Sequence, residues 1–108
     1  MWDERLKLYD QIVAGSTRFR RKGKTMPYTS ANGYMFSMLN KEGELGIRLP
    51  KGEAQKFRDE HHSPEPFKSH GAVMRDYVKV PEPLLKKPEE VLRYIEGSYD
   101  YVMLLPTK

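Results

Sequence analysis

The chain of 108 residues has no cysteine. That excludes disulfides, thiolate zinc sites, iron–sulfur clusters and cysteine nucleophiles. Small secreted domains usually carry disulfides, so the absence favours a reducing compartment, and a cytoplasmic location is the expectation. There is no run of about 18 apolar residues, so no membrane span is predicted. The N-terminus reads Met1, Trp2, Asp3, Glu4, which places acids where a signal peptide would have a basic and then apolar stretch. Internal repeats, low-complexity tracts and Gly-rich phosphate loops are also missing. Chain length predicts one domain over residues 1–108. A hydrophobic content of 38% is too high for a disordered chain.

Charge is present but unevenly placed. The net charge is +4, yet residues 18–24 alone carry five basic groups and no acid. The other 101 residues therefore sum to −1. Arg18, Arg20, Arg21, Lys22 and Lys24, gathered around Phe19, form a candidate anion or nucleic-acid contact. Each phosphate they neutralised would release counterions and make binding salt-dependent. A solvated loop whose charges keep the protein soluble is the favoured reading of the same run.

Periodicity outlines the elements. Trp2, Leu6, Tyr9 and Val13 recur on one helical face, and Gly15 supplies a stop, which predicts a helix over 2–14. An uncertain strand is placed around 24–28, with Pro27 confining it to an edge. Residues 33–40 and 44–50 read as a hairpin turning through Asn40–Glu44. In the first strand, Tyr34, Phe36 and Met38 are expected on one face and Met35 and Leu39 on the other. In the second, Leu45, Ile47 and Leu49 point inward, with Gly46 and Arg48 outward. Residues 52–61 suit a short helix burying Ala54 and Phe57, and Phe67 is an apolar anchor in a short strand. Residues 73–80 form a strand, with Met74, Val78 and Val80 on one face and Asp76 interrupting it. Leu84 and Leu85 make an apolar step. The longest helix is expected over 88–105, with Pro88 at its first position and Val91, Ile95, Tyr99 and Val102 inward. Leu92 and Met103 flank that stripe, and Gly97 marks either a close contact or a bend. The order predicts an α+β domain with an antiparallel sheet covered by helices.

No residue set proposes catalysis. Glu89 with Glu90 and Asp59 with Glu60 are helix neighbours that point apart, and no serine lies in a nucleophile-elbow context. His61 and His62 diverge on any regular element, so no metal site is expected and the histidines read as surface groups beside a helix end. The stretch Asn32–Leu39 is partly similar to the RNP1 pattern of RNA-recognition domains, but Tyr34 and Phe36 fit core aromatics better. Arg48, Arg75, Tyr77 and Lys79 would form a polar patch if their strands are neighbours. Otherwise they lie on an exposed sheet face. No cofactor is implied.

Several stretches resemble one family. Tyr34–Leu39 followed by Leu45–Leu49, then Phe57, Pro66–Phe67, Tyr77–Glu82 and Leu84–Leu92 resemble, in order and spacing, the N-terminal domain of the bacterial TfoX/Sxy competence regulators. The resemblance covers roughly residues 5–105. The family's Met-Phe-Gly-Gly before the first hairpin survives here only as Met26, and the regulators' second domain has no counterpart. The resemblance implies a secretion-chaperone-like order of helix, three strands, helix, two strands, helix. It implies a non-enzymatic regulatory or protein-interaction factor without a cofactor, acting on an unknown protein partner. YjbR-like proteins share the architecture and are described as possible DNA-binding modules, which supports the alternative of a nucleic-acid-binding module using residues 18–24. An edge strand at 24–28 would also permit a homodimer.

Overall fold

The computed structural model describes residues 2–107. Its helices lie where apolar stripes recur. In α1 (Trp2–Ala14), Tyr9, Ile12 and Val13 are buried while Asp3 and Glu4 occupy the first turn, where the helix dipole favours acids. The short α2 (Lys51–Glu60) buries Ala54 and Phe57. A single turn, α3 (Glu82–Leu85), buries Leu84 and Leu85. The long α4 (Pro88–Met103) starts on Pro88 and buries Val91, Ile95, Ser98 and Val102. It stops short of the expected residue 105, and Met103 is exposed rather than flanking the core. Gly97 marks no close contact, because a methyl there would meet nothing within 4 Å.

Five strands form one antiparallel sheet: β1 (Tyr28–Ala31), β2 (Tyr34–Leu39), β3 (Leu45–Arg48), β4 (Pro66–Ser69) and β5 (Ala72–Lys79), in the spatial order β1-β2-β3-β5-β4. The domain is α+β, and its element order matches the expected one, with α3 added before the last helix.

β1 corrects one expectation. No strand spans 24–28; it begins at Tyr28 and runs to Ala31. Asn32 and Gly33, both at positive φ (55° and 83°), form the two-residue turn into β2. Asn-Gly is the pair that such a turn selects. His70 and Gly71 make the same kind of turn between β4 and β5, at φ 54° and 76°.

Two further corrections share one cause, a strand irregularity that flips side-chain phase. In β2, Ser37 faces Thr29 but Met35 faces Ser30, which leaves Phe36 as an extra residue. Phe36 and Leu39 therefore enter the helix-side core, while Met35 and Met38 share the opposite face. In β5, the partners of Pro66 and Lys68 are Val78 and Val73, so β5 carries extra residues between them. Val78 and Val80 enter the helix-side core, but Met74 lies with Tyr77 on the other face. Asp76 interrupts nothing. It sits exposed in the irregular stretch, and its carbonyl accepts the Leu49 N–H at 3.0 Å.

The main core lies between the sheet and the helices. Phe36, Leu45, Ile47, Phe57, Val78, Val91 and Ile95 are all at most 2% exposed. Each such side chain contributes about 2 kcal/mol of burial free energy. Within this core a buried hydroxyl chain ties α1 to the sheet. The Tyr9 hydroxyl hydrogen-bonds with Ser37 Oγ at 2.6 Å, and Ser37 Oγ with Thr29 Oγ1 at 2.5 Å. Burial pushes the Tyr9 phenol well above its usual range and keeps it protonated.

Candidate functional site

The second apolar cluster marks the face of the sheet that the helices leave uncovered. It is built on Met38, Phe67 and Tyr77, all nearly buried. Three ties fold the β4–β5 hairpin across this face. The Phe67 ring packs directly on Gly46 of β3. The Asn40 side-chain amide donates to the Lys68 carbonyl at 2.8 Å. The Tyr77 hydroxyl donates to the Met35 carbonyl at 2.7 Å, and burial raises that phenol's pKa well above its usual range. The hairpin covers part of the face only. Between its tip and the start of β1 a groove of about 480 Å³ remains, lined chiefly by Met26, Tyr28, Met35, Met38, His70 and Met74.

Four of the six methionines thus converge on one open groove. Thioethers on unbranched stems adapt to varied apolar shapes, which suits a binding surface. Periodicity alone separates Met35 from Met38, so the groove is invisible until the Phe36 irregularity is known. The signal in the sequence was the methionine count across residues 26–74.

A second cavity of about 400 Å³ shares Met35 and Met74 with this groove and adds Tyr34, Arg48, Arg75 and Asp76. The expected polar patch therefore forms in part. Arg48 and Arg75 line one cavity with Tyr77, while Lys79 turns away to pair with Glu44 at 3.0 Å and Glu65 at 3.4 Å. The Arg48 guanidinium lies 5.3 Å from the Tyr34 ring centre and 5.9 Å from that of Tyr101. Its ion pair to Asp76 is loose at 3.8 Å, and its buried Nε has no hydrogen-bond partner among the described residues.

The basic segment is divided by the fold. Phe19 is buried in the helix-side core, edge-on to Phe36 with ring centres 5.1 Å apart. Arg18 stacks 4.5 Å from the Tyr99 ring centre and pairs with Glu96 at 3.0 Å and Asp100 at 2.7 Å on α4. Arg21 grips Asp10 of α1 with two bonds, at 2.7 and 3.0 Å. These partners raise both guanidinium pKa values, and both charges are spent inside the domain. Arg20, Lys22 and Lys24 are exposed and ion-pair with no described residue. The Lys22 backbone also pairs with Tyr28 in both directions, at 2.7 and 2.9 Å, covering the outer edge of β1 there.

The histidines are dispersed. His61 caps the C-terminus of α2, packs on Phe57 and Tyr94, and its Nε2 hydrogen-bonds the Tyr94 hydroxyl at 2.8 Å. His61 and Tyr94 border a cavity of about 330 Å³ with Glu60, Glu90 and Arg93. Burial, then the charges of Glu60 and Glu90, raise the Tyr94 pKa and keep its hydroxyl protonated at neutral pH. His62 is exposed at the end of α2, and His70 occupies the β4–β5 turn. Among the described residues no three His, Asp or Glu side chains are grouped to hold a metal ion, and no helix is long and apolar enough to cross a membrane. Compared with known protein families and with curated proteins, the chain matches none.

Proposed function

We propose that this domain is a non-enzymatic protein-interaction module of regulatory type, and that the methionine groove on the uncovered sheet face is where it docks its partner. The observation that carries this reading is the convergence of Met26, Met35, Met38 and Met74 on one open groove beside a folded-over hairpin. Met38 belongs to the buried cluster, but Met26, Met35 and Met74 are only partly covered, whereas a domain that needed them only for its core would bury them between layers. The resemblance to the TfoX/Sxy N-terminal domain supports the same reading, because that family acts through regulation and protein contacts. A cytoplasmic location goes with this proposal.

Selection of short random peptides on the immobilised domain tests it. Groove-dependent binders should emerge and lose affinity about tenfold or more for the Met35→Glu variant, which places a charge among the thioethers. Recovery of no peptide, or of peptides indifferent to Met35→Glu, contradicts the reading.

A second reading is a nucleic-acid contact through Arg20, Lys22 and Lys24. It is favoured by the exposure of all three within five residues, with no ion pair to any described residue. Arg18 and Arg21 belong to it less well, because acids already hold them. Titration of labelled DNA and RNA at two salt concentrations tests it. Binding that survives replacement of all three by Ala rules it out.

A further inference from the structure

Charge around the groove narrows what it takes. The two stretches that line it, residues 26–38 and 69–74, contain no acid and no Lys or Arg; within four residues of them in sequence lie five basic residues, Lys22, Lys24, Lys41, Lys68 and Arg75, against three acids, Glu42, Glu65 and Asp76. All five basic residues are exposed. Of the acids, Glu65 pairs with Lys79 at 3.4 Å and Asp76 leans on Arg48 at 3.8 Å. Arg48 lines the second cavity, which meets the groove at Met35 and Met74. Its side chain is 20% exposed, flanked by two aromatic rings that hold the guanidinium in place. A carboxylate arriving from outside could pair closely with the exposed part of the guanidinium, which Asp76 meets only at 3.8 Å.

We infer that the groove and the Arg48 cavity together receive a short acidic peptide segment of a partner protein, an apolar side chain entering among the methionines and a carboxylate settling on Arg48 with Arg75 beside it. This rests on the protein-interaction reading and specifies its partner. The excess of basic over acidic residues beside the lining stretches speeds encounter, and the Arg48 contact supplies discrimination between acidic and neutral sequences. Peptide fits better than a nucleic acid, since thioethers rather than exposed aromatic platforms line the groove.

Two matched sets of labelled peptides, one interleaving leucine with glutamate and the other leucine with glutamine, are titrated against the intact domain at about 0.15 M salt. The acidic set should bind about tenfold more tightly. Arg48→Gln should remove that preference, so that the acidic set binds no more tightly than the glutamine set. Should Arg48→Gln fail to fold, the wild-type Arg48 Nε–H resonance reads the contact directly: it should shift with the acidic set and stay still with the neutral set. Equal binding of the two sets, a preference that persists in Arg48→Gln, or an unmoved Nε–H resonance overturns this inference but leaves peptide docking standing. Binding of neither set removes both. Displacement of bound acidic peptide by a short single-stranded DNA, or by phosphatidylserine vesicles, at lower concentration than unlabelled peptide would mean that the site serves another anion and would also overturn it.

Discussion

The ring of Phe67 rests on the α-carbon of Gly46, so close that a methyl group there would lie 2.5 Å from the ring. This contact lets the β4–β5 hairpin lie across the sheet and creates the wall of the groove. Gly46→Ala should therefore cost about 1–3 kcal/mol through overpacking. Phe67→Ala, which empties a fully buried site, should cost about 3–5 kcal/mol. Urea unfolding of both variants measures this; a Gly46→Ala midpoint equal to wild type would show that the hairpin does not press on β3.

Gly97 is the opposite case. It lies within α4, exposed, and a methyl placed on its α-carbon would have no neighbour within 4 Å. Gly97→Ala should stabilise by up to about 1 kcal/mol, raising the melting temperature by roughly 4–8 °C. A fall in melting temperature would reveal a packing role that the geometry does not contain.

The Glu44–Lys79 pair sets an acid limit. Burial pushes the Glu44 carboxyl up, but hydrogen bonds from Asn40 and Lys79 outweigh it, and the net shift is downward from 4.5. The unfolded chain therefore binds the proton first as pH falls. Stability from this carboxylate is full above pH 4.5 and is lost as pH drops through the lower folded value. Glu44 holds the Lys79 pKa above 10.5, so the Lys79 share is full below that pH and is lost above it. Glu44→Gln should cost about 1 kcal/mol at pH 7, and the difference from wild type should shrink in acid. A gap that is constant from pH 7 to pH 3 contradicts the assignment.

The basic segment should divide under substitution as it does in space. Arg21→Ala removes a two-bond grip on Asp10 and should lower stability by about 1 kcal/mol. Arg20→Ala, Lys22→Ala and Lys24→Ala should each stay within about 0.5 kcal/mol of wild type. Equal losses across all four would show that the segment acts as one structural unit.

Much of this was legible in the residues. Apolar spacing placed α1, α2 and α4 within a few positions, and the clean alternation of Leu45, Ile47 and Leu49 placed β3. The Asn32-Gly33 turn was also written there, and reading it puts β1 at Tyr28–Ala31 rather than at 24–28. The faces of β2 and β5 were less legible. Strict alternation assigns Met38 with Phe36 and Met74 with Val78, and only the backbone irregularities reverse both. The groove depends on those reversals, so periodicity concealed it, and the four methionines between residues 26 and 74 are the signal that went unread. The five cations of 18–24 form a run in sequence, but Arg18 and Arg21 find acids on α4 and α1, and leave three with no ion pair to any described residue.

The central claim is that an acidic peptide docks among the methionines. Methyl-labelled methionine in the intact domain, followed by NMR during titration with the leucine–glutamate peptides, tests it most directly. Met103 is an internal control, since it is 48% exposed on α4, outside the groove. The account predicts saturable shifts at Met26, Met35, Met38 and Met74 with Met103 unmoved. Saturable binding that moves Met103, or that leaves the four groove methyls in place, would contradict it.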